Sequence, residues 1–443
     1  MEEVSPKFTG LLSFDGKSAE VEFSAPLDES GAIELAIDEL PLTRDTSFIL
    51  HGFDRKTPFP FFSLHGRDKA GRVFDSEHVH FGSVGPAYHC DRGSYYTFSP
   101  RCSKATFTGA VSPPERPAVR LFLRAGFKVP WDLVEATGIG EVRLSCYRES
   151  QARDKLTNTL TITAPDVCPD AASWAAAAEK LLGRIREYIS FAAGTNMTAP
   201  VRETYLGGGQ VTTEVYEQSE QPGTQMPVFA WHQMEDFFSH AVAHAVRAPD
   251  QDLWSAIAWF VLPSVYAEQR LVNAMTGLEN LVDTLLPSKK KDLLTGKKYT
   301  GLVAAIEEFA KENLGEFDRL DEVEAKFTEF RRRPFHKKLV ALFEEMDVPT
   351  WDFDEDAIKK AINGRNSVIH TGRYKGGNDP ATEPGLWAHV TIIREIVSRI
   401  IFKLVGFTGK YTTFVGGCRD VEFPPERPTE EGATQEADIP LQP

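Results

Sequence analysis

The chain has 443 residues, enough for two or three domains, and its 42% hydrophobic and 26% charged content is that of an ordinary globular protein. A net charge of -15 argues against tight constitutive nucleic-acid binding, because phosphate contacts dominate such affinity, although a local basic site remains compatible with it. The acidic start "MEEVSPKFTG" and the absence of a long apolar run predict neither a signal peptide nor a membrane span. Five scattered cysteines indicate reduced thiols and a cytoplasmic location.

Residues 1–165 are predicted to form a β-rich domain. Short runs such as "AEVEFSA", "AVRLFLRAGFKV" and "NTLTITAP" alternate apolar and polar residues, and Gly, Pro, Asp and Asn separate them. Many short strands at this spacing are typical of an antiparallel sandwich or barrel.

Residues 166–260 read as a mixed connector. Asp170 is placed to cap an Ala-rich helix that runs to about Ala193, and 203–218 suggests a β-hairpin about the Gly-rich "LGGGQ". The apolar 255–267 reads as a buried helix.

Residues 261–411 are predicted to form an all-helical bundle. Leu271, Met275, Leu278, Val282 and Leu285 step by three and four along one helix face. Further helices are expected over 300–313, roughly 318–347, from near Asp354, and over 385–407. The Pro- and Glu-rich segment 412–443 is predicted to be disordered.

The stretch "NGRNSVIHTG" (363–372) carries an unusual set of polar side chains on one of these helices. Asn366 and His370 lie four residues apart, so an Asn366 oxygen is placed to accept the imidazole proton and orient the ring. Arg365 and His370 lie five apart, roughly 140° around the helix, so one helix does not build a compact Arg–His site. Gly364 indicates either a break in the helix or a close approach by another part of the protein. Two copies meeting at a two-fold axis would gather all these groups into one cleft.

Arg365-Asn366-Ser367-Val368-Ile369-His370 resembles the Arg-Asn-x-x-x-His signature of HEPN domains, and it lies late in a helical region before one more long helix. The β domain ahead of the bundle, with "FTGLLSF" near its start, resembles the ApeA family of bacterial abortive-infection proteins. The resemblance implies an α+β multidomain protein, with an N-terminal antiparallel β sandwich or barrel-like sensing domain and a C-terminal HEPN bundle.

The same resemblance implies a metal-independent RNA endonuclease that acts as a homodimer in anti-phage defence, with an unknown phage-derived trigger. Arg365 and His370 are implied to be catalytic, and Asn366 supports them. RNA cleavage of this kind uses the substrate's own 2′-OH, so no cofactor and no metal is expected.

Two further features bear on the bundle. The segment "FRRRPFHKKL" clusters basic residues that are candidates for gripping RNA phosphates, or alternatively form a solvated helix face: Arg331, Arg332, Arg333, Lys337 and Lys338. Glu279 is a candidate for orienting His370, although an ordinary surface glutamate is the more conservative reading.

The sequence also offers a candidate metal site in the β region and an alternative function for the whole chain. A structural zinc site is an alternative to ordinary strand-surface residues for the group His78, His80, His89, Cys90 and Cys102. The alternative function is that of a non-catalytic scaffold, in which the bundle dimerises and the β domain binds a ligand.

Overall fold

The computed structural model describes residues 6–41, 46–51, 60–89, 93–109, 116–124, 129–148, 152, 154–218, 226–248, 253–294, 296–314, 331–372, 374 and 385–427. The chain divides into two compact units. The first comprises Met1–Pro222 with Ala241–Pro249, and the second comprises Gly223–His240 with Asp250–Pro443.

The first unit is built on one antiparallel sheet, to which fourteen strands of the described residues contribute. The strands, β1 to β14 in chain order, are Lys7–Phe14, Lys17–Ser24, Ala36–Ile37, Leu40–Pro41, Phe62–Asp68, Val73–His89, Gly93–Cys102, Lys104–Gly109, Ala118–Arg124, Leu133–Thr137, Gly140–Cys146, Leu156–Thr163, Thr198–Tyr205 and Val211–Tyr216. Their pairing order is β10-β11-β12-β9-β13-β14-β8-β6-β5-β1-β2-β3, and β7 pairs with β6 and β4. The predicted antiparallel β region is therefore confirmed, whereas its closure into a sandwich or barrel stays a prediction.

Alternating side chains bury one face of the first strands in an aromatic core. Phe8 stacks on Phe23 with ring centroids 5.2 Å apart, and Phe74 meets the edge of Phe23 at the same distance. All three rings are fully buried. Because side chains alternate between the two faces of a strand, the residues that directly precede and follow each of these phenylalanines lie on the opposite face of the sheet.

Two helices accompany the sheet, α1 (Phe48–His51) and α2 (Ala171–Ala193). Asp170 caps α2 by accepting a hydrogen bond from the Ser173 amide at 3.1 Å, and Gly194 ends it at a φ of 64°. Helix α2 packs on β9 and β12, and the β13–β14 hairpin lies inside the sheet. The helix and hairpin predicted within a separate connector, 166–260, thus belong to the first unit.

Helices dominate the second unit. After a 3₁₀ turn at Trp231–Gln233, the helices α3 to α10 are Met234–Arg247, Trp254–Val261, Ala267–Leu285, Ser288–Lys291, Lys297–Leu314, Phe335–Met346, Glu355–Thr371 and Leu386–Val405. The division into units falls within α3, whose residues from Ala241 onward are assigned to the first unit. Leu271, Met275, Leu278 and Val282 of α5 are buried, as their spacing predicts, whereas Leu285 at the end of the helix is half-buried. Helix α5 packs against α4, α8, α9 and α10, so it forms the centre of the unit.

A final hairpin of β15 (Gly409–Thr413) and β16 (Arg419–Phe423) packs against α10, with Phe423 and Tyr411 around Phe402. The disorder predicted for 412–443 is thus wrong for 412–427, because buried aromatic side chains anchor the hairpin. Residues 428–443 lie outside the described residues. Within the described ranges, no helix is both long enough and apolar enough to span a membrane.

Candidate active site

Helix α9 carries the Arg-Asn-x-x-x-His residues without a break. Asp354 begins the helix by accepting a hydrogen bond from the Asp356 amide at 3.0 Å, and Glu355 and Asp356 place negative charge in its first turn. Gly372 ends the helix in the left-handed region at a φ of 71°. Arg365, Asn366 and His370 therefore lie in its last two turns.

The guanidinium of Arg365 is held by its own chain. Its Nη2 lies 2.9 Å from Oε2 of Glu279 on α5, and its Nη1 donates to Oδ1 of Asn366 at 3.2 Å. Its Nε is buried and has no hydrogen-bond partner within the described part of the chain. Arg365 is half-buried, so most of its hydrogen-bonding capacity faces inward.

Glu279 lies in a mixed electrostatic environment. Burial raises the pKa of its carboxyl group, the Arg365 charge opposes that rise, Asp283 adds to it and Lys338 opposes it. Glu279 contacts Arg365, so the expectation that Glu279 orients His370 is not what a single chain shows. The reason is geometric, because five positions along α9 place Arg365 and His370 roughly 140° apart around the helix.

Asn366 and His370 also differ from the expected arrangement. The Asn366 side-chain oxygen accepts a hydrogen bond from Arg365 and is not engaged with the imidazole. His370 is exposed, and its side chain has no hydrogen-bond partner among the residues that the structure describes. The predicted Asn366–His370 contact is therefore absent from the described single chain.

Gly364 has a specific packing reason. It is buried, and a Cβ at this position would lie 3.2 Å from Cε2 of Tyr374 and 3.3 Å from Cδ2 of His389. The close approach thus comes from side chains of the same chain, and Gly364 by itself gives no support to a dimer. A 2.9 Å hydrogen bond joins Tyr374 Oη to His389 Nε2, and both side chains lie against α9 at Gly364.

The sequence pattern did not single out Tyr374 or His389. The one available signal was the glycine in mid-helix, which requires a close neighbour without saying which one. Likewise, the pairing of Glu279 with Arg365 spans 86 positions of the chain.

The basic segment lies partly against α5 and its following turn. Three of its five predicted RNA-binding side chains contact their own chain: Arg331 with Asp292 at 3.1 Å, Arg333 with the carbonyl of Lys290 at 3.3 Å, and Lys338 with Asp283 at 3.8 Å. Arg332 and Lys337 are exposed. Lys338 is the member that reaches the electrostatic environment of Glu279, and so of Arg365.

The described members of the predicted zinc group do not converge. His78 and His80 lie beside the Phe61 ring, at centroid distances of 5.5 and 6.1 Å. Cys102 is buried and hydrogen-bonds the carbonyl of Lys104 at 3.3 Å. Of the remaining two, Cys90 and the His89 side chain lie outside what the structure describes. The described members therefore do not form the expected cluster.

One chain presents the half-buried guanidinium of Arg365 and the exposed imidazole of His370. General acid–base cleavage of a phosphodiester needs a proton acceptor and a proton donor at once, and a histidine serves in either role. Helix α9 supplies one exposed histidine, five positions after Arg365.

Comparison with known proteins gives no match: no family model, no curated protein and no solved structure is significantly similar to this chain.

Proposed function

We propose that this protein is a metal-independent RNA endonuclease of the HEPN type, which acts as a dimer in anti-phage defence. The observation that carries the proposal is that α9 is one continuous helix bearing an Arg365 paired with Glu279 and an exposed His370, which has no hydrogen-bond partner within the described part of the chain. In this proposal the helices of 261–411 form a HEPN bundle, and the β-rich unit senses a phage-derived trigger.

The proposed chemistry uses the RNA 2′-OH as the nucleophile. One His370 removes the 2′-OH proton, the oxygen attacks the adjacent phosphorus, and the bond from phosphorus to the 5′-oxygen breaks. The second His370 donates a proton to that leaving oxygen. Arg365 stabilises the negative charge that develops on the phosphorane oxygens, because its guanidinium stays charged and matches their geometry. The products are a 2′,3′-cyclic phosphate and a 5′-OH end.

The dimer follows from the need for two histidines and from the surface beside them. Ile369, next to His370, exposes 47% of its surface, whereas Ile358 and Ile362 of the same helix are buried. An exposed isoleucine at the end of a helix is suited to a self-complementary contact. Such a contact would bring two copies of His370 together.

Arg365 meets RNA in this proposal by partial release from Glu279. The pair is partly exposed, with side-chain exposures of 22% and 33%, so solvent screens it and its net stabilisation is modest. The monoanionic phosphodiester of RNA competes directly with a carboxylate for the same guanidinium face. Arg332 and Lys337 are the exposed members of the basic segment that remain open to the RNA backbone.

The competing proposal is a non-catalytic scaffold that dimerises through the bundle and binds a ligand through the β unit. The Arg365–Glu279 ion pair favours it, since an arginine tied to its own chain has a sufficient structural role. The exposure of His370 favours the nuclease, because a scaffold has no need of an unengaged imidazole at that place.

A phage-plating experiment tests the proposed function. Cells that express the intact protein are compared with cells that express His370→Ala, and His232→Ala serves as the control because His232 is also exposed but lies far along the chain from α9. The proposal expects fewer plaques with the intact protein and with His232→Ala, and loss of protection with His370→Ala. Equal protection by intact and His370→Ala protein would remove the catalytic role of His370 in defence.

A further inference from the structure

The outward face of β5 and β6 brings three metal-ligating side chains to one point. His65 on β5 is the direct cross-strand partner of Asp75 on β6, and Glu77 follows two positions later on the same exposed face. The His65 Nδ1 lies 2.9 Å from Asp75 Oδ1, and its Nε2 lies 3.2 Å from Glu77 Oε1. One ligand atom from each residue lies within 4.8 Å of the others.

A β-bulge shapes this face. Phe62 pairs with Val79 and Leu64 pairs with Ser76, so Ser63 alone stands opposite Glu77 and His78. Bulges turn side chains to a shared face and recur beside functional sites. Ser63 Oγ also donates a hydrogen bond to the second carboxylate oxygen of Glu77, which restrains that carboxylate as the outer partners of metal ligands do.

Two carboxylates lie beside one imidazole on an exposed face, and their contacts with His65 contribute little stabilisation there. A divalent cation neutralises both carboxylates and uses the imidazole lone pair as a third donor. One nitrogen and two carboxylate oxygens, with a water molecule in the fourth position, form a ligand set that zinc accepts.

We propose that His65, Asp75 and Glu77 form a zinc site on the β-rich unit. The exposed side chains need only rotate about their own bonds to place one atom each around the ion, because the two strands already hold their backbones in register. This inference does not rest on the proposed nuclease function, since it concerns different residues and is measured by binding.

Calorimetric titration of the full chain with Zn²⁺, after removal of metal by EDTA and its dialysis, tests the site. We expect one zinc ion per chain, and an affinity reduced by about 100-fold or more in His65→Ala and Asp75→Asn, since loss of even an outer partner costs roughly 10–100-fold. His78→Ala is the matched control, because this histidine lies on the neighbouring part of the same strand and outside the cluster.

Asp75→Asn keeps the size of the side chain, so it decides the question if His65→Ala fails to fold. Absence of zinc binding by the intact chain overturns the proposal. So does binding that Asp75→Asn leaves unchanged, or that His78→Ala reduces as strongly, since the ion would then lie elsewhere.

Discussion

The carboxylate of Glu279 and the guanidinium of Arg365 set the electrostatics of the candidate site. Burial raises the pKa of Glu279, and the neighbouring Arg365 charge reduces that rise without cancelling it. The folded protein therefore holds the Glu279 proton more tightly than the unfolded chain does. The stability that protonated Glu279 contributes is fully present below its ordinary pKa of 4.5. It is lost as the pH rises through the raised pKa of Glu279 in the folded protein.

Replacement of Glu279 by glutamine tests this sign. Glutamine does not titrate, so Glu279→Gln removes the contribution of Glu279 to the pH dependence of stability. We therefore expect the free energy of unfolding of Glu279→Gln to fall less steeply with rising pH than that of the unmodified protein. Urea denaturation over about pH 4 to 7 measures it. Glu308→Gln, at an exposed position on α7, is the control. Parallel profiles for Glu279→Gln and the unmodified protein would contradict the assignment.

Gly364 gives a second prediction for a single residue. Leucine at this position would force atoms beyond Cβ into Tyr374 and His389, and overpacking of this kind costs about 1–3 kcal/mol. Gly183 on α2 is a matched control, because a Cβ there meets nothing within 4 Å, and Gly183→Leu should gain up to about 1 kcal/mol of helix propensity. Thermal unfolding measures both, and a stabilising Gly364→Leu would show that the packing is looser than described.

The isolated residues of the site were predictable to different degrees. The Arg365, Asn366 and His370 set was visible because it is local in sequence. The partner of Arg365 was not, because the sequence around Glu279 offered this residue as a neighbour of His370 or as a surface glutamate, and did not indicate its ion pair with Arg365. Asn366 shows a different limit of the sequence pattern. Its spacing of four residues permits a contact with His370, but its side-chain oxygen accepts a hydrogen bond from the neighbouring Arg365 instead.

At the scale of elements, local signals gave the limits of α2 correctly, whereas the apolar helix predicted over 255–267 ends already at Val261. Asp170 and Ala193 bracket α2 as predicted, because a capping aspartate and a following glycine are physical start and stop signals. The last hairpin was missed because "KYTTFVGGCRDVEF" is short and is followed by a tail rich in Pro and Glu. Its stability comes from α10, through contacts that composition does not show.

Helix α10 supports that hairpin through a buried ionic network. Arg399 contacts Glu395 at 3.0 Å and both carboxylate oxygens of Asp352 at 2.6 and 2.7 Å. Thr413 donates to Glu395 at 2.7 Å, and the Tyr411 hydroxyl donates to the same carboxylate. The network therefore ties α10, the segment before α9 and β15 into one piece.

Removal of Arg399 is expected to be severe. Arg399→Ala leaves buried Glu395 without its cation, and breaking a buried pair in this way costs about 3–5 kcal/mol. Lys403→Ala on the same helix removes an exposed contact with Asp347 and should cost about 0–1 kcal/mol. Chemical denaturation of both variants provides the comparison, and equal costs would mean that the network contributes no more than a surface pair.

For the whole molecule, the sequence predicted an antiparallel β region followed by helices, and this order is observed. The boundary of the β-rich unit was harder to predict from the sequence, because the strands at 198–205 and 211–216 insert into the middle of the sheet after a long helix. Such long-range pairing depends on contacts between distant segments, which periodicity along the chain does not report.

The proposed dimer makes a prediction of its own at this scale. Intact chains co-refolded with an excess of His370→Ala chains should cleave far less RNA than the same amount of intact chains refolded alone, because a mixed dimer retains one of the two His370 side chains that the proposed mechanism uses. Intact chains refolded alone at the same concentration are the control. Cleavage that the excess of His370→Ala chains leaves unchanged would exclude a site assembled from both chains.

The most direct test of the central claim is RNA cleavage in the presence of EDTA by the intact protein, His370→Ala and the His232→Ala control. We expect fragments with 2′,3′-cyclic phosphate and 5′-OH ends from the intact protein and the control, and a rate lower by about 10⁴-fold or more for His370→Ala, because the substitution removes both the base and the acid of the dimer, each contributing about 10²- to 10⁴-fold. Cleavage by His370→Ala at the intact protein's rate, or ends bearing a 5′-phosphate, would contradict it.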